Sequence, residues 1–466
     1  MRKLYWYISL YIRRHGWLFL VSVLATIVFF SFLLPLLLKN LTFKKQNYIA
    51  VVGQYNLSNL PPIIKQQLSA GLSSIGADQS PQPMLAERWI LEDDAKQYRF
   101  VLKKGVFWQD GKELVPEDVY YNFADVVMVT TPNDVIFKLP EPFAPFPVAV
   151  SEPILRVANK KRFLLPNITQ LIGIGQYEML DYKMNGNYLR EFRVDGPQER
   201  YIYRFYPTEE AAVLAFKKGE VDVLLDLASC HGLCDWKKLE IVRDLDFDSY
   251  LALFFNNADP QLGKNVRQAL AYALEKDYGE ARTIGPFNPN SWAYLEGGKD
   301  YQKDWERGIE RLIDELPREP LDFEITTTTI FQEEAEAIKE ELTAFGQEAS
   351  QSCRNSSSVE DKELCDNLAI NLRIKISNFP DTNNFQLLLM GQSISTDPDQ
   401  YFMWHSAQAT NFTRYKNTRI DSLLERGRQT VDVEERKSIY QEFQQFLLED
   451  PPAIFLHYLE RFSIAR

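Results

Sequence analysis

Apolar and polar residues alternate at Tyr98, Phe100 and Leu102, which predicts a strand with one buried face. Gln109-Asp110-Gly111 follows as a corner. Pro116-Glu117-Asp118 then reads as a helix start, predicting an amphipathic helix that carries Val119, Tyr120 and Phe123. Downstream the period switches repeatedly between that of a helix and that of a strand. Thr208 is placed to cap a helix through Ala211, Leu214 and Phe216 that ends at Gly219, and residues 221–227 read as a buried strand. A strand ending at Asn256 leads through a polar turn into a helix with Val266, Ala269, Leu270 and Ala273 on one face. Residues 321–329 are rich in β-branched side chains, residues 331–345 have helical periodicity ending at Gly346, and residues 385–390 form an apolar run broken only by Gln386. Asn417 is a good cap for a helix bearing Ile420, Leu423 and Leu424. Asp432 with Glu435 opens the last helix, and Pro451-Pro452 stops it before a strand at residues 453–458. Such alternation predicts α/β layering.

About 420 residues follow the first 45, too many for one core, so at least two lobes are expected. Hydrophobic content of 45%, with 13% aromatics, is enough to fill them. Gly16 to Leu38 is a run of 23 residues without a charge, and about 20 suffice to cross a bilayer as a helix. A cleavable secretory signal would have an apolar core of about 7 to 15 residues ending at a small-residue site, and none follows Leu38; an uncleaved anchor is the expectation. Arg2, Lys3, Arg13 and Arg14 precede the run and Lys39, Lys44 and Lys45 follow it, so charge bias says little about orientation. A net charge of −12 argues against nucleic acid, which needs a basic face.

Chemistry-bearing motifs are sparse. The chain has no HExxH, Walker loop or Gly-x-Ser-x-Gly elbow, so no catalytic residue is expected. Gly173-Ile174-Gly175 lacks the helix start that a nucleotide loop would need. Asp397 and Asp399 read as paired acids or, preferably, as a structural turn before Tyr401. The four cysteines fall into two local pairs, Cys230 with Cys234 and Cys353 with Cys365. They read as two short disulfides, as free thiols, or, for Cys230, His231 and Cys234, as part of a metal site. Residues 351–366 look like a mobile insertion stapled by the second pair.

Six ordered segments resemble the extracellular solute-binding family 5 proteins, which serve oligopeptide, dipeptide and nickel ABC importers. They are residues 85–123, the turn Gly173-Ile174-Gly175-Gln176-Tyr177, EEAAVLAFKKGEVDVL at 209–224, residues 250–277, the proline-rich loop 284–294, and Asp397-Pro398-Asp399-Gln400-Tyr401 with Asn411-Phe412 and Tyr415-Lys416-Asn417. Between Val51 and Leu456 they cover nearly the whole body, and the resemblance implies that the glycines of the 173–177 turn allow backbone angles closed to other residues. Two departures stand out: Arg466 comes soon after the last strand, where the family usually continues, and the apolar run takes the place of a lipid anchor.

The resemblance implies a two-lobed α/β, periplasmic-binding-protein-like fold (type II, cluster C-like) preceded by one transmembrane helix. The expected divisions are a cytoplasmic tail at 1–15, an anchor at 16–38, a linker at 39–47, a first lobe at 48–249, a second at 250–452, and a return to the first at 453–466. The body would lie outside a bacterial cell membrane, where local cysteine pairs favour disulfides. It would bind a peptide or similar small solute without cofactor, metal or catalysis, with ABC permease and ATPase subunits and the bilayer as partners. An ectodomain sensor or surface interaction module of the same fold is the alternative. Cleft residues implied position by position are Tyr55, Asn56, Trp108, Asn256, Trp292, Met390, Gln392 and Ile394, with Asp397, Asp399 and Trp404 beside them. Peptide binders of the family hold the ligand's free amino terminus with a carboxylate three residues before the Asp-Pro acid. That position is Ile394 here. Unless Asp397 or Asp399 reaches inward, weak affinity for ordinary free-amine peptides is implied, with preference for a blocked, uncharged or differently placed cation.

Overall fold

The structure is a computed structural model, described over residues 2–33, 44–93, 95–162, 165–356 and 362–466. Its frame is a ten-stranded mixed sheet. In chain order the strands are β1 (Lys45–Val52), β2 (Glu178–Asn185), β3 (Tyr188–Asp195), β4 (Glu199–Tyr206), β5 (Val223–Leu227), β6 (Glu240–Phe255), β7 (Leu321–Thr327), β8 (Ile370–Ile376), β9 (Leu387–Ser393) and β10 (Ala453–Ala465). They lie side by side as β2-β3-β4-β1-β5-β10-β6-β9-β7-β8. Buried aliphatic and aromatic runs explain the centre: residues 250–255 of β6 and 453–456 of β10 are wholly buried, as expected of strands covered on both faces.

Both lobes share β6 and β10. The first half of β6, Glu240 to Asp246, pairs antiparallel with the end of β10, and its second half, Tyr250 to Phe254, pairs with the start of β10 and with β9. Between these stretches the register breaks: Asp246 lies opposite Leu459 and Tyr250 opposite Tyr458, so Phe247, Asp248 and Ser249 have no partners on β10. The Asp246 carboxylate holds this bulge by accepting hydrogen bonds from Asp248 N–H (3.1 Å), Ser249 Oγ (2.5 Å) and Arg461 Nε (3.2 Å).

Separate cores flank the break. One lobe packs Ile49, Leu68 and Phe205 on one face of its sheet and Phe216, Leu224 and Ile464 on the other. Counting Arg2–Val28 as α1 and Glu209–Lys217 as α2, the other lobe packs α3 (Lys264–Ala273) and α4 (Gln332–Asn355) on one face, and α5 (Thr418–Gln429) and α6 (Val433–Glu449) on the other. A smaller body between β1 and β2 carries a four-stranded antiparallel sheet (residues 86–92, 97–102, 134–138, 127–130) around Tyr98, Phe100, Trp108, Phe137 and Phe146.

Local signals hold at several ends. Thr208 Oγ1 accepts Ala211 N–H, Asn417 Oδ1 accepts Arg419 and Ile420 N–H, and Asp432 Oδ1 accepts Glu435 N–H, each satisfying an orphan donor of a helix start. Gly219 takes φ +77° after its helix. Both cysteine pairs form disulfides, which removes the metal reading of Cys230 and Cys234.

Four expectations need correction. Pro116–Asp118 is a single 3-10 turn, and the chain is extended by Val119 (ψ 121°). Trp108 Nε1 bonds Asp118 (2.9 Å) and Val119 is wholly buried, so tertiary contacts draw the segment to the next strand, Val127–Thr130. The helix expected to end at Gly346 runs on to Asn355. Gly346 is there because a Cβ would lie 2.4 Å from Ile370 N, so it lets α4 approach β8. Much of the supposed mobile insertion is therefore the last turn of α4 and a 3-10 helix, Lys362–Leu368, with both cysteines buried; residues 357–361 lie outside the described residues. At the Gly173-Gly175 turn the need is also for close approach and not for special angles: a Cβ on either would meet Leu68 or Gln67 carbonyl oxygen.

At the amino terminus Arg2–Val28 is helical with a break at His15, and Phe29–Leu33 is a π-turn. Arg13–Ser31 is long and apolar enough to cross a membrane. Residues 34–38 of the expected anchor and 39–43 of the expected linker lie outside the described residues.

Lys276, 7% exposed, donates from Nζ to the Ala271 and Leu274 carbonyls (2.7 Å each). Burial, aided by Arg282, pushes its pKa down to about 8 from the usual 10.5. Between those values the unfolded chain binds the extra proton. The cost of the buried charge is thus full below about pH 8 and fades as pH rises towards 10.5. In urea unfolding, stability relative to Lys276→Met should rise by about 2 to 3 kcal/mol from pH 7 to pH 10. A flat difference would contradict a buried charged lysine.

Candidate functional site

Strand directions place the cleft. β1 runs parallel to β4 and β5, β5 is antiparallel to β10, and β10 is antiparallel to β6, so all four of β1, β4, β5 and β6 point one way. β9 is antiparallel to β6, and β7 and β8 are parallel to β9. The carboxyl ends of β1, β4 and β5 therefore point at the other lobe, and those of β7, β8 and β9 point back. They converge at the level of Asp246 to Ser249, since Leu227 neighbours Phe462, itself opposite Arg243, while Ser393 pairs with Ser249. Carboxyl ends of parallel strands are where α/β sheets bind ligands.

Of the expected cleft residues, the structure brings Tyr55 and Ile394 to these ends. Tyr55, just past β1, is half-buried against Phe205, with ring centroids 5.5 Å apart. Asn56 is exposed and spends its side chain on a turn, accepting Ser58 and Asn59 N–H. Met390 and Gln392 lie on β9 and Ile394 just past it, all half-buried. Ile394 N–H donates to Asp248 O (2.7 Å). Asn256 lies at the far end of β6, bonded to Phe385 O (2.9 Å), away from the convergence.

Two tryptophans are core instead. Trp108 is 2% exposed, bonded to Asp118 and covered by the Arg156 guanidinium at 4.7 Å. Trp404 is fully buried beneath Phe455. Trp292 is half-buried at a lobe contact, its N–H donating to Asp78 O (3.0 Å).

Asp397 and Asp399 do not reach inward. Asp397 makes a bidentate pair with Arg436 (2.5 and 2.9 Å), both nearly closed to solvent. Asp399 lies 3.1 Å from Arg428 Nε; burial pushes its carboxyl above the usual carboxylate range while Arg428 draws it back. Each aspartate also accepts a backbone N–H two residues on, which is the turn expected before Tyr401.

Sequence reasoning missed the groups that join the lobes. Arg428 lies over Tyr401, Phe402 and Phe143 at 4.3 to 5.1 Å, and its carbonyl accepts Ala144 N–H (2.7 Å), docking the inserted body on α5. A cavity of about 480 Å³ lies at this junction, walled by Phe123, Phe143, Phe146 and Tyr401, with Glu425 at its edge. Nearer the hinge, the tip of a short hairpin places Gln79 Nε2 2.9 Å from Asp248 Oδ1, which also accepts Asn288 Nδ2 (2.7 Å). Only the positive φ of Gln79 sets it apart, and sequence carries no sign of that. Among the described residues no group of three or more His, Cys, Asp or Glu is arranged to hold a metal ion.

Residues 80–414 match the family model described as bacterial extracellular solute-binding proteins, family 5, middle region. The chain is 24% identical to the oligopeptide-binding protein AppA of Bacillus subtilis over 87% of its own length and 83% of that protein's. It is 21% identical to the dipeptide-binding protein of Escherichia coli, over 82% of each. Among solved structures it resembles the ABC transporter substrate-binding protein CtaP of Listeria monocytogenes (TM-score 0.69, 19% identity, 91% and 94% of the two chains covered). It also resembles NikZ of Campylobacter jejuni, solved with Ni(L-His) (TM-score 0.65, 23%, 91% and 94%).

The Asp397–Arg436 pair should be costly to break. Asp397→Asn leaves a buried guanidinium without its charge partner and is expected to lower stability by about 3 to 5 kcal/mol in chemical denaturation. Asp397→Leu combined with Arg436→Met should lose less than the single change. If the double variant is worse, the pair contributes more than mutual compensation.

Proposed function

The chain belongs to the bacterial extracellular solute-binding proteins of family 5, and from that premise we propose that it is a membrane-anchored binding component of an ABC importer, taking a peptide or peptide-like solute between its two lobes. The observation that carries this reading is the convergence of strand carboxyl ends from both lobes on the break in β6. Two strands cross there, so the lobes are joined by a strip narrow enough to bend while each core moves as a body. Closure would bring Tyr55 on one side towards Met390, Gln392 and Ile394 on the other. The proposed lobes are 48–249 and 250–452, with 453–466 returning to the first and β10 serving both.

Relatives named as oligopeptide- and dipeptide-binding proteins support a peptide ligand. The reading assigns binding and delivery, with no catalytic step. Helix Arg13–Ser31 would hold the body at the outer face of the membrane for delivery to permease and ATPase subunits.

Two measurements check the reading. Protease added to intact cells should remove the body of about 420 residues, leaving the helix behind. Release of a protein lacking residues 1–38 into the medium would instead make the helix a cleaved signal. Equilibrium binding of a peptide library to the full chain in detergent should return micromolar ligands, with small-angle scattering showing compaction on binding. Absence of any peptide ligand would reject the peptide class.

A further inference from the structure

We infer that Asp248 and Gln79 form the charge-recognition corner of the cleft, built to hold the ammonium group of an amine-bearing solute. This deepens the peptide-binding reading and rests on it.

Acceptors outnumber donors at this corner. Gln79 sits at the tip of the hairpin formed by Ser73–Ile75 and Pro81–Pro83, held between Gly76 and Ser80 by two backbone hydrogen bonds. Its backbone is in the left-handed region, φ +61°, which side chains rarely adopt. The side chain is nine-tenths buried, and its amide nitrogen crosses to Asp248 on the hinge bulge. Its Oε1 is buried with no donor among the described residues. Buried acceptors of this kind are uncommon and ask for a partner.

Asp248 completes the corner. Its Oδ1 already takes two donors, from Gln79 and from Asn288, and Asn288 in turn is fixed by accepting Asn290 N–H. Its Oδ2 has no donor among the described residues, and the residue is exposed. The cation at the bulge, Arg461, is committed to Asp246. The corner thus exposes a carboxylate oxygen, with the unpartnered Gln79 amide oxygen buried behind it and the Gln79 and Asn288 amides turned inward to orient the carboxylate. A surplus of acceptors bearing one negative charge complements an ammonium, which has three donors and no acceptor. It would repel a carboxylate or phosphate.

The corner also adjoins the strand that lacks a charge. Ile394 N–H bonds the Asp248 carbonyl, so the carboxylate stands beside the position where β9 ends in an apolar side chain. The cation expected to be differently placed has its counter-charge on the hinge. With this corner in place free-amine peptides bind, where Ile394 taken alone would imply weak affinity.

The test is calorimetry on the full chain in detergent micelles, with trialanine and pentaalanine, each as the free amine and N-acetylated. The free amines should bind at least tenfold tighter than their acetylated forms. Asp248→Asn, which keeps shape and an acceptor for both amides, should abolish that preference without weakening the acetylated forms. Gln79→Leu should reduce it several-fold, and thermal melts establish that both variants fold. Equal affinity for free and acetylated forms, or a preference that survives Asp248→Asn, would overturn the corner while leaving peptide binding intact. If neither form binds, the peptide reading fails and this assignment falls with it.

Discussion

Pairing of β6 with β10 through both lobes is the constraint on which the molecule depends. A single antiparallel ribbon is continuous from one core to the other, so the lobes cannot separate without breaking main-chain hydrogen bonds. The ribbon nevertheless carries register breaks, and at the wider one three residues of β6 lie without partners on β10 and Asp246 supplies side-chain bonds in place of the ladder. Rigidity on either side and a local break in the middle are what a hinge needs, and every parallel strand of both lobes ends facing that break.

Side-chain chemistry reinforces this division. Large aromatic residues are spent mostly on the cores, as with Trp108 and Trp404, while acidic residues in the second lobe are neutralised within it by Arg436 and Arg428. Arg428 has a further task, since its carbonyl and guanidinium both meet the inserted body at Phe143 and Ala144. Groups left with free acceptor capacity, Gln79 and Asp248, belong to no core and face one another across the lobe contact. That contrast separates residues that hold the structure together from those that keep acceptor capacity.

Some of this was legible along the chain. Helix starts at Thr208, Asn417 and Asp432 are local, because a cap bonds a backbone N–H two or three residues away and needs nothing from the rest of the molecule. Alternation at Tyr98, Phe100 and Leu102 is likewise local, since period-two burial follows from the pleat. The apolar run near the amino terminus could be read from spacing alone, while spacing grouped the cysteines into local pairs without deciding between disulfide, thiol and metal. Motif resemblance extended that reading to the family and to two lobes.

The remainder was decided by contacts distant in sequence. Pro116-Glu117-Asp118 has a good helix start, yet Trp108 bonding Asp118 and burial of Val119 draw the chain straight instead. Gly346 has the sequence signature of a helix end, but the nearness of Ile370 requires a glycine within a longer helix. The Gln79–Asp248 contact was the least legible part: the two residues are 169 apart and carry no motif. Sequence by itself determined which segments bury which faces, because burial period and capping are properties of a few neighbouring residues. Only tertiary structure decided which polar groups were consumed in pairs and which remained free, because that depends on the partner each group meets once the chain is folded.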